Sequence, residues 1–183
     1  MPVFGSMANI APRAIASGIK SNNIAINWDR LFPDFCSFLS IKKIIRWTLE
    51  YLHMDSEDAR DLIYKTGMAE SGYRALEGYG KNPAIGFWQV EPFTMYDTIE
   101  NYVNYRAELK TKIYGLGYDE KDAEMRLMSN MSLQVAFCRL KYRRDKYALP
   151  GRDDIEAQAK YWKRVYNSEK GRGTVEHFIK ANG

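Results

Sequence analysis

The sequence predicts a mostly α-helical, single compact domain, and three observations carry that expectation. Apolar residues recur at helical offsets over most of the chain beyond residue 35. No stretch longer than about four residues reads as a strand. Pro92, the pair Gly115 and Gly117, and Pro150 with Gly151 fall at the ends of periodic stretches, where they punctuate helices. Together these imply about six to eight helices with little or no β-structure.

Residues 1–35 read as an N-terminal arm, small, polar and broken by Pro2, Pro12 and Pro33, with only 10–19 able to form a short helix. Residues 36–183 read as the folded domain. Across 36–53, Leu39, Ile41, Ile44, Ile45, Thr48, Leu49 and Leu52 keep helical spacing, which makes a core helix. Asp55 and Ser56 offer a cap to the next helix, with Met54 and Ala59 placed as a hydrophobic staple. That helix carries Ala59, Leu62, Ile63, Thr66 and Ala69 on one face and ends near Glu70, where Ser71 and Gly72 stop it. Pro92 opens a helix predicted to run to Gly115. Asp119 is expected to cap a long helical stretch, split near Ser129 and Asn130, that reaches about Tyr147, with Leu133, Ala136, Phe137 and Leu140 on a shared face. Two shorter helices, 153–166 and 174–180, follow; the first lines up Ile155, Ala159, Trp162 and Val165.

Bulk properties exclude several classes. A chain of 183 residues with 45% hydrophobic and 27% charged content is ordinary globular material, and no run approaches the roughly 20 apolar residues of a membrane span. No apolar segment follows a basic start at the N-terminus, so no cleavable secretory signal is expected, and export would need another carrier. Cys36 and Cys138 sit in apolar, helical contexts and read as free buried thiols. With His53 and His177 they show no paired ligand spacing, so neither metal nor cofactor is expected. The net charge of +4 weakly favours anionic partners. The basic run 139–146 reads as a solvated helix face rather than a nucleic-acid stripe, since one basic turn is a thin electrostatic footprint.

Chemically useful groups concentrate in residues 68–94. Glu70 lies at the end of a helix, where the negative end of the dipole disfavours its ionised form. If aromatic groups exclude water there, its pKa rises toward the range of a general acid; the competing reading is an exposed surface glutamate. Glu70, Ser71 and Gly72, followed by a loop and then Gly86, Phe87, Trp88, Gln89, Val90, Glu91, Pro92, Phe93 and Thr94, resemble the lysozyme-like lytic transglycosylases and goose-type lysozymes. Those families show a helix ending in Glu-Ser, then a Gly-x-x-Gln segment commonly followed by Pro and Thr. The stretch 129–136 looks like the family's next core helix, and Tyr166 with Asn167 is similar to its Tyr-Asn pair. The resemblance spans roughly residues 55–170.

The resemblance implies a lysozyme-like domain that cleaves the β-1,4 bond between N-acetylmuramic acid and N-acetylglucosamine in peptidoglycan strands. Glu70 would protonate the leaving oxygen and later take a proton back. A second carboxylate is the usual partner; in lytic transglycosylases the substrate's acetamido oxygen replaces it, and the muramic 6-hydroxyl closes a 1,6-anhydro ring. Glu91 is the candidate second carboxylate, since goose-type lysozymes also carry one after Gln-Val; equally, it is the solvent-facing residue before Pro92. Gln89 would bind an acetamido group. Tyr73, Tyr79 and Trp88 would face sugar rings, core packing being the alternative for Trp88. Ser71 would bond the acetamido group or its own helix end, and Tyr166 the catalytic carboxyl or acetamido group, with Asn167 supporting that turn. Trp88 stands where the family has a small residue or Met, the loop 73–85 lacks the usual Ser-x-x-Gly-Ala, and the last motif lacks an Ala before Tyr166 and a Gly after Asn167. These departures bear on sugar subsites rather than on Glu70.

A small chain with a loose arm and no signal suits a bacteriophage product, either a virion-associated wall-degrading enzyme or an endolysin. Its partners would then be glycan strands and other virion proteins, without nucleic acid or membrane insertion. The rival expectations are a non-catalytic virion component on the same fold and a basic helical nucleic-acid binder built on 139–146.

Overall fold

A computed structural model describes the backbone of residues 33–78, 80, 83–168 and 171–183. The arm expected over residues 1–35 falls almost wholly outside them, as do Tyr79 and the Cys36 side chain. In order, the chain forms α1 (Pro33–Tyr51), α2 (Glu57–Ser71), α3 (Pro92–Thr98) continued by a π-helical turn (Ile99–Val103), α4 (Ala107–Gly115), α5 (Ala123–Ser129), α6 (Met131–Arg143), α7 (Ile155–Trp162) continued by a second π-helical turn (Lys163–Asn167), and α8 (Val175–Asn182). Among the described residues there is no strand, so the fold is mostly α as expected. None of these helices is long and apolar enough to cross a membrane.

Side-chain caps set several starts. Ser56 Oγ accepts the Ala59 N–H at 3.1 Å, Asp154 Oδ1 the Ala157 N–H at 2.9 Å, and Thr174 Oγ1 the His177 N–H at 3.1 Å, each satisfying a donor that a helix start leaves free. Asn130 divides α5 from α6. Its Oδ1 accepts from Ser132 and Leu133 while its Nδ2 donates to the Leu116 carbonyl at 2.7 Å.

Two expected long helices are broken. The stretch from Pro92 does not run through to Gly115: after Val103 the chain turns, and Arg106 lies 3.7 Å from the Tyr102 ring centroid while donating to the Tyr102 carbonyl. That side chain satisfies a carbonyl which a continuing helix would have paired. Asp119 caps no helix. Its Oδ1 accepts the Lys121 N–H at 3.1 Å within a turn, and α5 starts only at Ala123.

Helix α6 is the centre of the core. Leu133, Gln134, Val135, Ala136, Phe137, Cys138, Leu140 and Tyr142 are all buried, covering far more of its circumference than the single face expected. α2 packs against α6 and α8, and α3 against α6. The basic run is correspondingly not a solvated face throughout, because Arg139 is buried and Lys141 partly so.

The described residues between α2 and α3 form only isolated bridges, with Ile85 and Val90 exchanging both backbone hydrogen bonds at 2.9 Å. Gln134 anchors it from below. Its Oε1 accepts the Phe87 N–H at 2.9 Å, and its Nε2 donates to the Leu127 and Met128 carbonyls at 2.9 and 3.1 Å. Gly86 permits this approach: its φ is 77°, and a Cβ there would stand 2.3 Å from Gln134 Cδ. Replacing Gln134 by Leu leaves three backbone groups without their partner, so it should destabilise the fold by about 2–4 kcal/mol in urea unfolding; a loss within experimental error of zero would show that the amide does not hold the loop.

Candidate functional site

Glu70 occupies the last turn of α2. Gly72, with φ 58°, closes that helix by donating its N–H to the Met68 carbonyl at 3.0 Å. Glu70 therefore sits at the negative end of the helix dipole, an unfavourable place for an anion. Trp162, at the end of α7, donates its indole N–H to Glu70 Oε1 at 2.9 Å. Burial pushes the Glu70 carboxyl up to about 7, against the opposing pull of the Trp162 donor, Lys141 and His177; Glu91 adds a small upward push. An acid in that range can donate a proton near neutral pH.

Beside it lies a cavity of about 340 Å³, lined by Ala69, Glu70, Trp162, Asn167, Arg172, Gly173 and His177. His177 Nε2 contacts the Ala69 carbonyl at 2.7 Å. A carbonyl can only accept, so this nitrogen carries a proton. Trp162 is fully buried, packed on Phe178 at 5.2 Å between ring centroids. Its indole is thus held rigidly against the carboxyl.

On the α6 side of Glu70, Lys141 places its ammonium 4.3 Å from the centroid of the Tyr166 ring and lies in the field of both Glu70 and Glu91. Glu91 is exposed immediately before α3, with the Thr94 hydroxyl 3.5 Å from its Oε2. The fold therefore brings Glu70, Glu91, Lys141, Trp162, Asn167 and His177 to one region.

Several residues expected to face substrate point elsewhere. Trp88 is fully buried, with its indole N–H on the Ile63 carbonyl at 2.8 Å, and offers no ring face to a sugar. Tyr73, held at φ 57°, packs edge-on against Phe87 and Trp88 and donates its hydroxyl to the Tyr64 carbonyl, so its ring belongs to the interior. Tyr166 is buried and donates to the Trp88 carbonyl at 2.7 Å rather than to Glu70. Ser71 Oγ donates to the Phe87 carbonyl at 2.7 Å, clamping the end of α2 to the loop. Gln89, at φ 46°, returns its amide N–H to the Gly86 carbonyl at 2.9 Å, while a Cβ on Gly78 would meet its Oε1 at 2.8 Å. Asn167 lines the Glu70 cavity, its Oδ1 accepting from Lys163 at 3.0 Å.

Trp162, Lys141 and His177 escape the reading from sequence. Trp162 reads as core and Lys141 as surface. Yet Gln134, Cys138 and Lys141 follow the i, i+4, i+7 spacing of one helix stripe, a signal that would have turned Lys141 toward the interior. Among the described residues, no group of three or more His, Cys, Asp or Glu is placed to hold a metal ion. No family model, no curated protein and no solved structure matches this chain.

The raised carboxyl makes stability depend on pH. The unfolded chain ionises Glu70 near 4.5 and the folded chain only near 7, so the folded state holds the extra proton and loses stability as pH rises through that window. Glu70→Gln removes this effect. Relative to the parent chain, it should gain about 1–3 kcal/mol at pH 8 over its difference at pH 4.5, read from urea unfolding. Equal differences at both pH values would mean the carboxyl is solvated like any surface glutamate.

Proposed function

We propose that this chain cleaves the β-1,4 bond between N-acetylmuramic acid and N-acetylglucosamine in peptidoglycan, with Glu70 as its acid and base. One observation carries the reading: a carboxyl at a helix end, held by the Trp162 indole and pushed up to about 7 by burial, opening onto a cavity. The resemblance of 70–72, 86–94, 129–136 and 166–167 to lytic transglycosylases and goose-type lysozymes supplies the substrate. The order along the chain is the family's.

In this reading Glu70 donates its proton to the glycosidic oxygen as the bond from that oxygen to the anomeric carbon breaks. The acetamido oxygen of the same sugar bonds to that carbon and carries the positive charge. The Glu70 carboxylate then takes the proton of the 6-hydroxyl, whose oxygen displaces the acetamido group and closes the 1,6-anhydro ring. Glu91 is not given the role of base, because it is exposed and its influence on Glu70 is the weakest of the four neighbours that shift it. A non-catalytic structural or glycan-binding virion component on the same fold is the second reading, its structural form favoured by the inward turn of Tyr73 and Trp88, which removes two expected sugar platforms. A bacteriophage origin, as virion component or endolysin, belongs to the same proposal.

Purified sacculi test the proposal. Glu70→Gln should abolish release of muropeptides, and Glu91→Gln should retain at least about a tenth of the parent rate, a loss below 1.4 kcal/mol in barrier. Mass spectrometry should find products one water lighter than the hydrolysed disaccharide. Hydrated products together with an inactive Glu91→Gln would assign Glu91 as the base, and turnover by Glu70→Gln at the parent rate would sink the proposal. Activity should fall as pH rises through about 7, where Glu70 loses the proton it must donate.

A further inference from the structure

The cavity of about 340 Å³ onto which Glu70 opens is also lined by Arg172 and Asn167. Arg172 makes no hydrogen bond or ion pair with any described residue. The arginines that line other cavities differ in this respect. Arg46 pairs with Glu50, Arg60 with Asp55, Arg152 with Glu57, Arg144 with Asp97 and Arg164 with Asp145. The Glu70 cavity thus holds a full positive charge, carried on a fork of N–H donors, that the protein leaves unmatched.

The turn that carries Arg172 is held in place. Lys163 donates from its ammonium to Asn167 Oδ1 at 3.0 Å, to the Ser168 carbonyl at 2.8 Å and to the Gly171 carbonyl at 2.9 Å. Gly171 and Gly173 flank the arginine, and neither has room for a side chain. A Cβ on Gly171 would collide with the Asn167 carbonyl, and one on Gly173 with the Trp162 ring. Arg172 is therefore pinned from both sides against Asn167 and Trp162, the latter being the residue that holds Glu70. The Lys163 bond also orients the Asn167 amide. An ammonium can only donate, so the end it meets is the oxygen, and Nδ2 is left as a donor with no acceptor among the described residues.

We infer that the Glu70 cavity takes a carboxylate, bound by the Arg172 guanidinium and the Asn167 amide, and that in the substrate this is the carboxylate of the muramyl residue. The identity of the sugar rests on the proposed function; the binding of a carboxylate does not. A guanidinium fork with an amide donor in the same cavity is complementary to a planar anion with two oxygens. His177 offers no competing acceptor, since its Nε2–H is engaged by the Ala69 carbonyl. Glu70 itself keeps its proton up to about 7, so near neutral pH it opposes an incoming anion only weakly. A muramyl residue carries a carboxylate on its lactyl group where the peptide has been removed, and on the stem peptide where it has not. N-Acetylglucosamine carries neither. The contact therefore tells the two alternating sugars apart and sets which of them lies beside Arg172. Arg172 acts on binding and specificity, and Glu70 on the bond.

Three soluble probes test this. One is N-acetylglucosamine linked β-1,4 to N-acetylmuramic acid with its lactyl carboxylate free, the second is the same disaccharide bearing a stem peptide, and the third, N,N′-diacetylchitobiose, has no carboxylate. None contains the bond proposed to break, so affinity is read at equilibrium by ¹⁵N shift titration, with the Gly171 and Gly173 amides and the Trp162 indole locating the ligand. At least one carboxylated probe should bind more tightly than chitobiose. Arg172→Gln should weaken that probe about fivefold or more, Arg172→Lys should recover part of the loss, and the affinity for chitobiose should hold. The carboxylated probe that loses affinity identifies the source, lactyl or stem. The inference is overturned if neither carboxylated probe binds better than chitobiose, if Arg172→Gln weakens all probes alike or none, or if the shifts lie away from those signals. On sacculi, Arg172→Gln should raise KM several-fold with kcat unchanged; a lower kcat at constant KM also overturns it. If the parent chain leaves sacculi intact, the glycosidase reading fails by itself. The titration still decides whether the cavity binds a carboxylate.

Discussion

The buried amide of Gln134 is the contact on which the rest of the site depends. A primary amide in an apolar core must pair both its ends, and the cost of failing to do so is large enough to dictate where other chain segments go. Here the pairing ties the Phe87 N–H to the carbonyls of Leu127 and Met128, which end α5. The loop thereby acquires a fixed height above α6. Ser71 makes the second tie, from the end of α2 to the Phe87 carbonyl, and Tyr166 the third, to the Trp88 carbonyl. Three backbone groups of Phe87 and Trp88 are thus held from three different elements.

These ties explain why residues that look like substrate contacts are interior. Ser71 and Tyr166 spend their hydroxyl protons on carbonyls of the loop, and Trp88 spends its indole proton on α2. Their chemistry serves the placement of Val90 and Glu91 relative to Glu70. Gln89 and Tyr73 hold left-handed backbone angles at either end of the segment, which cost energy for residues with a Cβ. That cost is offset by the amide bond of Gln89 to Gly86 and the hydroxyl bond of Tyr73 to Tyr64.

Most helix positions, and the place of Glu70 at the end of α2, were legible in the sequence because each has a local cause. The face of α2 with Ala59, Leu62, Ile63, Thr66 and Ala69 is buried as its spacing implies, and Gly72 ends the helix beside Glu70. The breaks after Val103 and before Ala123 were not legible, since they come from Arg106 folding onto Tyr102 and from the Asp119 turn. Helical propensity alone says nothing about either. Direction was the other failure. Glu70 meets Trp162 across 92 residues of sequence, and no local pattern announces a partner so distant.

The site combines opposing demands on one carboxyl. Burial and the end of α2 favour its neutral form, whereas the Trp162 donor, Lys141 and His177 favour the anion. Had burial acted alone, the proton would be held too tightly to leave; had the cations dominated, there would be no proton to give. In the proposed reaction, an acid that also acts as base in the next step needs both forms accessible near one pH. The balance here depends on side chains from α6, α7 and α8 converging on the last turn of α2. That convergence is a property of the helical packing, and it explains why this glutamate holds its proton to higher pH than an exposed one.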